Sequence, residues 1–314
     1  MQLFFFISGY FYKDEYSSNL KNLISKRLSS LYIPFLKYSL LFLLLHNVFY
    51  SLGIYNDAIG GFYSVSDFIN SFIKIMTFDL TEPLLAAFWF FTSLFAVSIL
   101  FGLISFVSSK FPQKDSELIR MVLIGICFFI GNITSQKYGI AFPRMLNTSL
   151  VALSVYYLGY LYRRNEQIIK MNIYFFSMSV LLLFLDSFYG IINMSANSYL
   201  SPSFFFVNSV VGIYANVYLA KHIAERVNSK LFYYIGQNTV IIMALHLLSF
   251  KVISFIQLKI YGYPVELLAK IPVIDQNNGW WIAYTLSGIF IPLAIRYMLD
   301  KTQLHLIIPR KASF

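Results

Sequence analysis

Charge is scarce in this sequence. Asp, Glu, Lys and Arg together account for 12% of the residues, about half the share of an average soluble domain. A water-exposed globule with so little charge could not cover the 58% of residues that are hydrophobic. Cysteine is almost missing as well. The lone Cys127, set in the apolar GICFFIG, rules out an intrachain disulfide and a cysteine metal cluster, and reads as a small core residue. No HExxH, GxxxxGK[ST], GxGxxG or GxSxG motif occurs, so zinc-protease, phosphate-loop, dinucleotide and serine-hydrolase readings have no anchor and no metal is expected.

What is present is apolar sequence in long runs. The mean hydropathy is +0.66, and eight stretches reach the roughly 20 residues that cross a bilayer as helix. They are Leu31 to Gly53, Leu84 to Ser109, Leu118 to Thr134, Met145 to Tyr162, Met171 to Met194, Ser203 to Ala220, Leu231 to Leu258 and Gly279 to Ile295. Met1 to Tyr12 is apolar but too short, and leads into Lys13, Asp14 and Glu15 rather than a signal-peptide cleavage site. The fold class expected is all-α: a polytopic transmembrane helix bundle, one membrane domain over residues 1–314, with eight full spans and a partial N-terminal one.

The net charge of +10 does not point to nucleic acid, because the basic residues sit in short clusters between the runs. They mark topology. Lys13 to Arg27, Lys110 to Arg120, Arg163 to Lys170, Lys221 to Lys230 and the end from Arg296 to Lys311 alternate with loops that are poor in Lys and Arg. The long Ile54 to Pro83 loop is acidic through Asp57, Asp67, Asp79 and Glu82. The positive-inside rule puts the basic set, and with it the C-terminus, in the cytoplasm of a cell (inner) membrane protein surrounded by lipid. Met1 to Tyr12 must then run inward from the outer side, an odd way to begin, so at least one helix is expected before Met1.

Titratable groups within apolar runs are costly and therefore candidates for function. Lys37 and Lys251 lie near helix ends, where their ammonium groups can snorkel to the interface. His46 falls near the outer end of its run and is read as bonding a neighbour. Asp186 lies deeper and needs a buried partner or water. His246, behind the polar opening Gln237, Asn238 and Thr239, is the leading buried acid–base candidate. Lys26 and Arg27, just before a helix carrying Pro34 in its opening turn, either anchor the cytoplasmic face or grip the phosphates of a soluble cofactor.

LFFFISGYFY followed by ISKRLSSLYIPF, then AAFWFFTSLF, PRMLNTSLVALSVYYLGYLY and YIGQNTVIIMALHLL, resembles in order and spacing the acyltransferase-3 family of integral membrane acyltransferases, the polysaccharide O-acetyltransferase type. The resemblance covers almost the whole chain and implies about ten helices. It also implies transfer of an acyl group, usually acetyl from cytoplasmic acetyl-CoA, to a sugar hydroxyl on a lipid-linked or exported glycan acceptor. By position, Ser8 and Gly9 match the family's serine–glycine turn, Trp89 its tryptophan helix, and His246 a late-helix histidine. Arg27 matches the first arginine of an RxxR pair that meets the acyl donor; the second falls at Ser30, leaving Lys26 as a point charge beside it. The family's catalytic histidine belongs to a first helix that would precede Met1, so residues 1–314 alone are expected to lack that base and to be inactive unless His246 or His46 serves. A glycan flippase and an O-antigen-type polymerase are the alternatives among polytopic proteins of this composition.

Overall fold

Inside a bilayer the backbone N–H and C=O groups find no water, and only helices or closed barrels satisfy them internally. The described residues take the helical solution. The computed structural model describes residues 1–227 and 230–301, and among these the regular structure is helical, with no strand beyond isolated bridges at Asn56 and Asn193. The helices are α1 (Gln2–Tyr10), α2 (Leu20–Arg27), α3 (Ile33–Ser51), α4 (Val65–Met76), α5 (Trp89–Ser108) and α6 (Gln113–Asn132). They continue as α7 (Leu146–Asn165), α8 (Ile173–Ser187), α9 (Pro202–Arg226), α10 (Lys230–Gln237), α11 (Thr239–Tyr261) and α12 (Trp280–Lys301).

Among the described residues, six helical segments are long and apolar enough to cross a membrane: Leu20–Ser51, Pro83–Ser108, Gln113–Lys137, Pro202–Arg226, Thr239–Tyr261 and Trp280–Lys301. Two of the eight expected spans are not among them. The Met145 to Tyr162 run does form a 20-residue helix, α7, but most of it faces protein, so it carries polar groups that pair internally. Asn147 donates to Thr134 Oγ1 at 2.8 Å and to the Ile140 carbonyl at 3.0 Å, and Thr148 donates to the Met194 carbonyl at 2.9 Å. The Met171 to Met194 run yields only the 15 residues of α8, about 22 Å of helix.

Two other differences are local. The Leu231 to Leu258 run breaks at Asn238, where the side chains of Asn238 and Thr239 bond the carbonyls of Tyr234 and Gly236, the competition that makes such residues helix ends. The acidic Ile54 to Pro83 loop contains α4, started by a reciprocal capping box between Ser64 and Asp67. Its Val65, Ile69, Phe72 and Ile73 are exposed on one helical face, as in a helix lying against lipid. Arg310 and Lys311 of the expected C-terminal basic cluster lie outside the described residues.

Contacts divide the described residues into two units, one of residues 1–29 with 92–227, the other of residues 30–91 with 230–301. In the first, α1 lies against α7 and α7 against α6. The α1–α7 contact is close because each helix offers a glycine to the other's backbone. A Cβ on Gly9 would run into the Tyr156 carbonyl, and one on Gly159 into the Phe6 carbonyl. Close approach through small residues is how helices associate where burial from water gives no drive. In the second, α11 packs on α12 and on the Pro83–Phe88 turn that precedes Trp89, and α3 on α4.

Gly9→Ala or Gly159→Ala is expected to destabilise the protein by about 1–3 kcal/mol, whereas Gly125→Ala, where a Cβ meets nothing within 4 Å, should leave the thermal midpoint in detergent unchanged. Thermal unfolding of the three variants side by side checks this.

Candidate functional site

The uninterrupted LLFLLL run carries α3 up to His46 with no residue that breaks a helix. There the chain needs a partner, because the imidazole is fully enclosed. His46 Nδ1 lies 3.0 Å from Glu82 Oε2 and Nε2 lies 3.0 Å from the Gly61 carbonyl, and both side chains of the His46–Glu82 pair are 0% exposed. Glu82 stands just before the Pro83–Phe88 turn. Tyr55 donates to Glu82 Oε2 at 3.3 Å; burial pushes its phenol up, which keeps the proton available for that bond.

The segment over the ring is shaped by its own sequence. Asn56 accepts the Ile59 amide at 2.9 Å on its side chain, closing a turn, and Gly60 and Gly61 follow at φ 93° and 65°, a region that favours glycine. Space is tight at Gly60 too, since a Cβ would stand 3.2 Å from His46 Cε1. Asn47 then clasps Tyr63 from both sides, its amide nitrogen donating to the Tyr63 carbonyl and its oxygen accepting the Tyr63 N–H, each at 2.9 Å. This lays the Tyr63 ring flat on the imidazole, 3.4 Å between centroids.

Both imidazole nitrogens thus face oxygens, and the Gly61 carbonyl can only accept. Nε2 must carry a proton. The bond to Glu82 needs a second, held either on Nδ1 against a carboxylate or on the Glu82 carboxyl against Nδ1. Either way the pair is neutral as a whole and holds two protons.

The other unit contains the basic residues singled out in the sequence. α2, capped by Asn19, brings Lys26 and Arg27 into its last turn. Arg27 is 7% exposed; its Nη2 donates to Tyr156 Oη at 3.3 Å, while its Nε has no partner among the described residues. Lys26 is half-buried, with Nζ 5.9 Å from the centre of the Tyr16 ring. Arg120, expected only as a topology marker, is 6% exposed. It bonds Glu117 at 2.8 Å and Tyr160 Oη at 3.1 Å, and its Nε also lacks a partner. Tyr160 in turn donates to Asp14 at 2.8 Å and lies under the Arg120 and Arg164 guanidinium groups.

The remaining candidates are dispersed. Ser8 is half-buried on α1 beside Gly9, whose role is the backbone contact with α7. Trp89 opens α5, half-buried against Phe90. His246 sits on α11 with Nδ1 turned back to the Met243 carbonyl at 3.0 Å and its ring edge to Phe250. Asp186 lines a cavity of about 540 Å³ with Asn208 and Asn216. Lys251 does not snorkel: it is 4% exposed and donates to the Leu268 and Lys270 carbonyls at 2.8 and 2.9 Å. Lys37, by contrast, is exposed. Sequence reasoning missed Glu82, counting it only among the charges of the acidic loop, although its place directly before Pro83 and an apolar helix was a signal. Among the described residues no group of three His, Cys, Asp or Glu could hold a metal ion.

Glu82→Ala leaves the imidazole enclosed without its carboxylate and is expected to cost about 3–5 kcal/mol, while the double variant His46→Phe/Glu82→Leu recovers most of that loss. Denaturant unfolding of the single and double variants in detergent checks the pair.

Comparison with known families places these features. The family model described as an acyltransferase domain matches residues 1–297. Neither the curated proteins nor the solved structures contain a match to the chain. A match over nearly the whole length favours acyl transfer over glycan flipping or polymerisation. Together with the membrane-spanning helices, it identifies this chain as a member of the acyltransferase-3 family of integral membrane acyltransferases.

Proposed function

We propose that this chain is an O-acetyltransferase of the cell (inner) membrane, moving acetyl from cytoplasmic acetyl-CoA to a sugar hydroxyl of a cell-surface polysaccharide or of its lipid-linked precursor. In this orientation the C-terminus is cytoplasmic, and α2 stands on the side from which the donor arrives.

The observation that carries the reading is Arg27. A guanidinium 7% exposed, with Nε unpartnered, is a costly group unless a ligand completes it. The donor carries phosphates, whose oxygens accept from the planar fork of arginine. Tyr156 fixes the orientation of that fork through Nη2, and Lys26, one residue earlier, adds a mobile positive charge. Held there, the thioester meets an acceptor hydroxyl. The hydroxyl oxygen bonds to the acetyl carbon, the carbon–sulfur bond breaks, and the sulfur leaves as the CoA thiol.

Arg27→Ala is expected to weaken binding to immobilised CoA at least tenfold, and Arg27→Lys to restore it only in part, because a point charge cannot form two parallel bonds. Lys26→Ala should have a smaller effect that fades with added salt. CoA retention unchanged in Arg27→Ala would overturn the donor assignment.

A further inference from the structure

Two guanidinium groups in the unit containing α7 are buried in the same way. Arg27 and Arg120 are 7% and 6% exposed, and the Nε of each is enclosed with no partner among the described residues. They come from different helices, α2 and α6, yet rest on one face of a third. Arg27 Nη2 donates to Tyr156 Oη at 3.3 Å and Arg120 Nη1 to Tyr160 Oη at 3.1 Å. Tyr156 and Tyr160 are one turn apart on α7, about 6 Å along its axis, and the Tyr12 ring stands edge-on to both. The pairing of Arg120 with Glu117 does not finish the group. Both of its bonds, to Glu117 and to Tyr160, fall on Nη1, which leaves the edge formed by Nε and Nη2 unused among the described residues. That edge is the one that makes two parallel bonds to an oxyanion.

We propose that Arg27 and Arg120 together clamp a diphosphate ester, the linked phosphoryl groups of the CoA donor, with Arg120 as the arm nearer the cytoplasm. The proposal rests on the acyl-transfer reading and adds a second donor-binding residue to it. Charge supports the choice of ligand. Glu117 serves two arginines, Arg120 at 2.8 Å and Arg164 at 2.5 Å, while Asp14 accepts from Tyr160, and no carboxylate bonds Arg27 among the described residues. Arg27, Arg120 and Arg164 thus face only Glu117 and Asp14, and Lys26 adds to the surplus. A buried cation without a counter-ion is costly, and a diphosphate supplies negative charge to both forks at once. The order of the two arms follows from α7. Its last turn carries Arg163 and Arg164, on the side that the positive-inside rule places in the cytoplasm, and Tyr160 lies one turn nearer that end than Tyr156.

The same end of α7 offers an approach. A cavity of about 480 Å³ carries Lys13, Arg163 and Arg164 against Asp14 and Glu15, and its wall includes Tyr12 and Tyr160. Tyr160 therefore lines the cavity while the Arg120 guanidinium lies over its ring, 5.1 Å from the centre. With three cations to two carboxylates, the cavity attracts an anionic ligand toward the clamp. All of these groups belong to one contact unit.

The test measures retention of the detergent-solubilised full chain on immobilised CoA and its elution by soluble ligands. Arg120→Ala should weaken retention about tenfold or more. Arg120→Lys, which keeps the charge beside Glu117 should the alanine variant fold poorly, should recover only part of it, because a point charge lacks the fork. Dephospho-CoA, which keeps the diphosphate and lacks the 3′-phosphate, should elute wild type about as well as CoA and lose the same factor in Arg120→Ala. Inorganic pyrophosphate should elute wild type at about a tenth of the concentration that inorganic phosphate needs, a preference that falls below about threefold in Arg120→Lys. Melting separates binding from folding: without ligand Arg120→Lys should melt close to wild type, yet lose most of the rise that CoA gives. Arg120→Ala and Arg120→Lys both within about twofold of wild type, with Arg27→Ala still impaired, would overturn the clamp and leave the donor assignment to Arg27 standing. Wild type eluted alike by pyrophosphate and phosphate, or a loss in Arg120→Ala seen with CoA and not with dephospho-CoA, would overturn the diphosphate as the ligand. Wild type that immobilised CoA does not retain at all would overturn the donor reading itself, and this proposal with it.

Discussion

A polar group in the hydrocarbon layer has only the protein to bond to, and that constraint decides where nearly every side chain of interest ends up. Ser98, Ser209 and Ser249 turn back to carbonyls one helical turn away, at 2.7 to 2.9 Å. Lys251 gives its ammonium to the Leu268 and Lys270 carbonyls. Gln257, Tyr284 and Ser254 join in a buried chain. His46 obeys the same demand with a carboxylate on one nitrogen and a carbonyl on the other. Among the described residues, the Nε atoms of Arg27 and Arg120 are the charged members of a short set of buried polar atoms without partners that also includes the hydroxyls of Ser30, Tyr38 and Ser39.

The two units use the constraint differently. In the unit containing α7, backbones meet through Gly9 and Gly159, and a layer of tyrosines fills the space beside them. Tyr12 and Phe101 lie 4.7 Å apart, centre to centre, and each lies 5.1 to 6.3 Å from both Tyr156 and Tyr160. Their hydroxyls meet the charges around them: Tyr156 meets Arg27, and Tyr160 meets Asp14 and Arg120. In the other unit the loop after α3 folds back over its own helix, and polar contacts are spent on holding that loop. One unit buries the guanidinium groups of Arg27 and Arg120; the other encloses the His46–Glu82 pair.

Much of this was legible beforehand, for physical reasons. A run of apolar residues in a charge-poor chain can only be a helix in lipid, so α3, α5, α6, α9 and α12 are found where hydropathy puts them. Two of the eight expected spans are not among the six candidates, because α7 largely faces protein and carries polar groups, while α8 stops at Ser187 after 15 residues. The motif residues Ser8, Gly9 and Trp89 were recognisable as pattern, and the structure supplies the mechanical reason for Gly9. The His46–Glu82 pair was not legible. Its members are 36 residues apart, joined through a loop whose turn at Asn56 and glycines at 60 and 61 set the distance. Nothing in local periodicity announces that Glu82 is buried while Asp57, Asp67 and Asp79 of the same loop are not.

The central claim is that this membrane protein makes an oxygen ester from acetyl-CoA. The most direct measurement reconstitutes the full chain in proteoliposomes with [14C]acetyl-CoA and membrane-extracted glycan, then treats the labelled glycan with mild alkali. The account predicts time-dependent label on the glycan that is released as acetate, as an O-acetyl ester must be. Glycan that stays unlabelled, or label that survives alkali as an amide would, contradicts it.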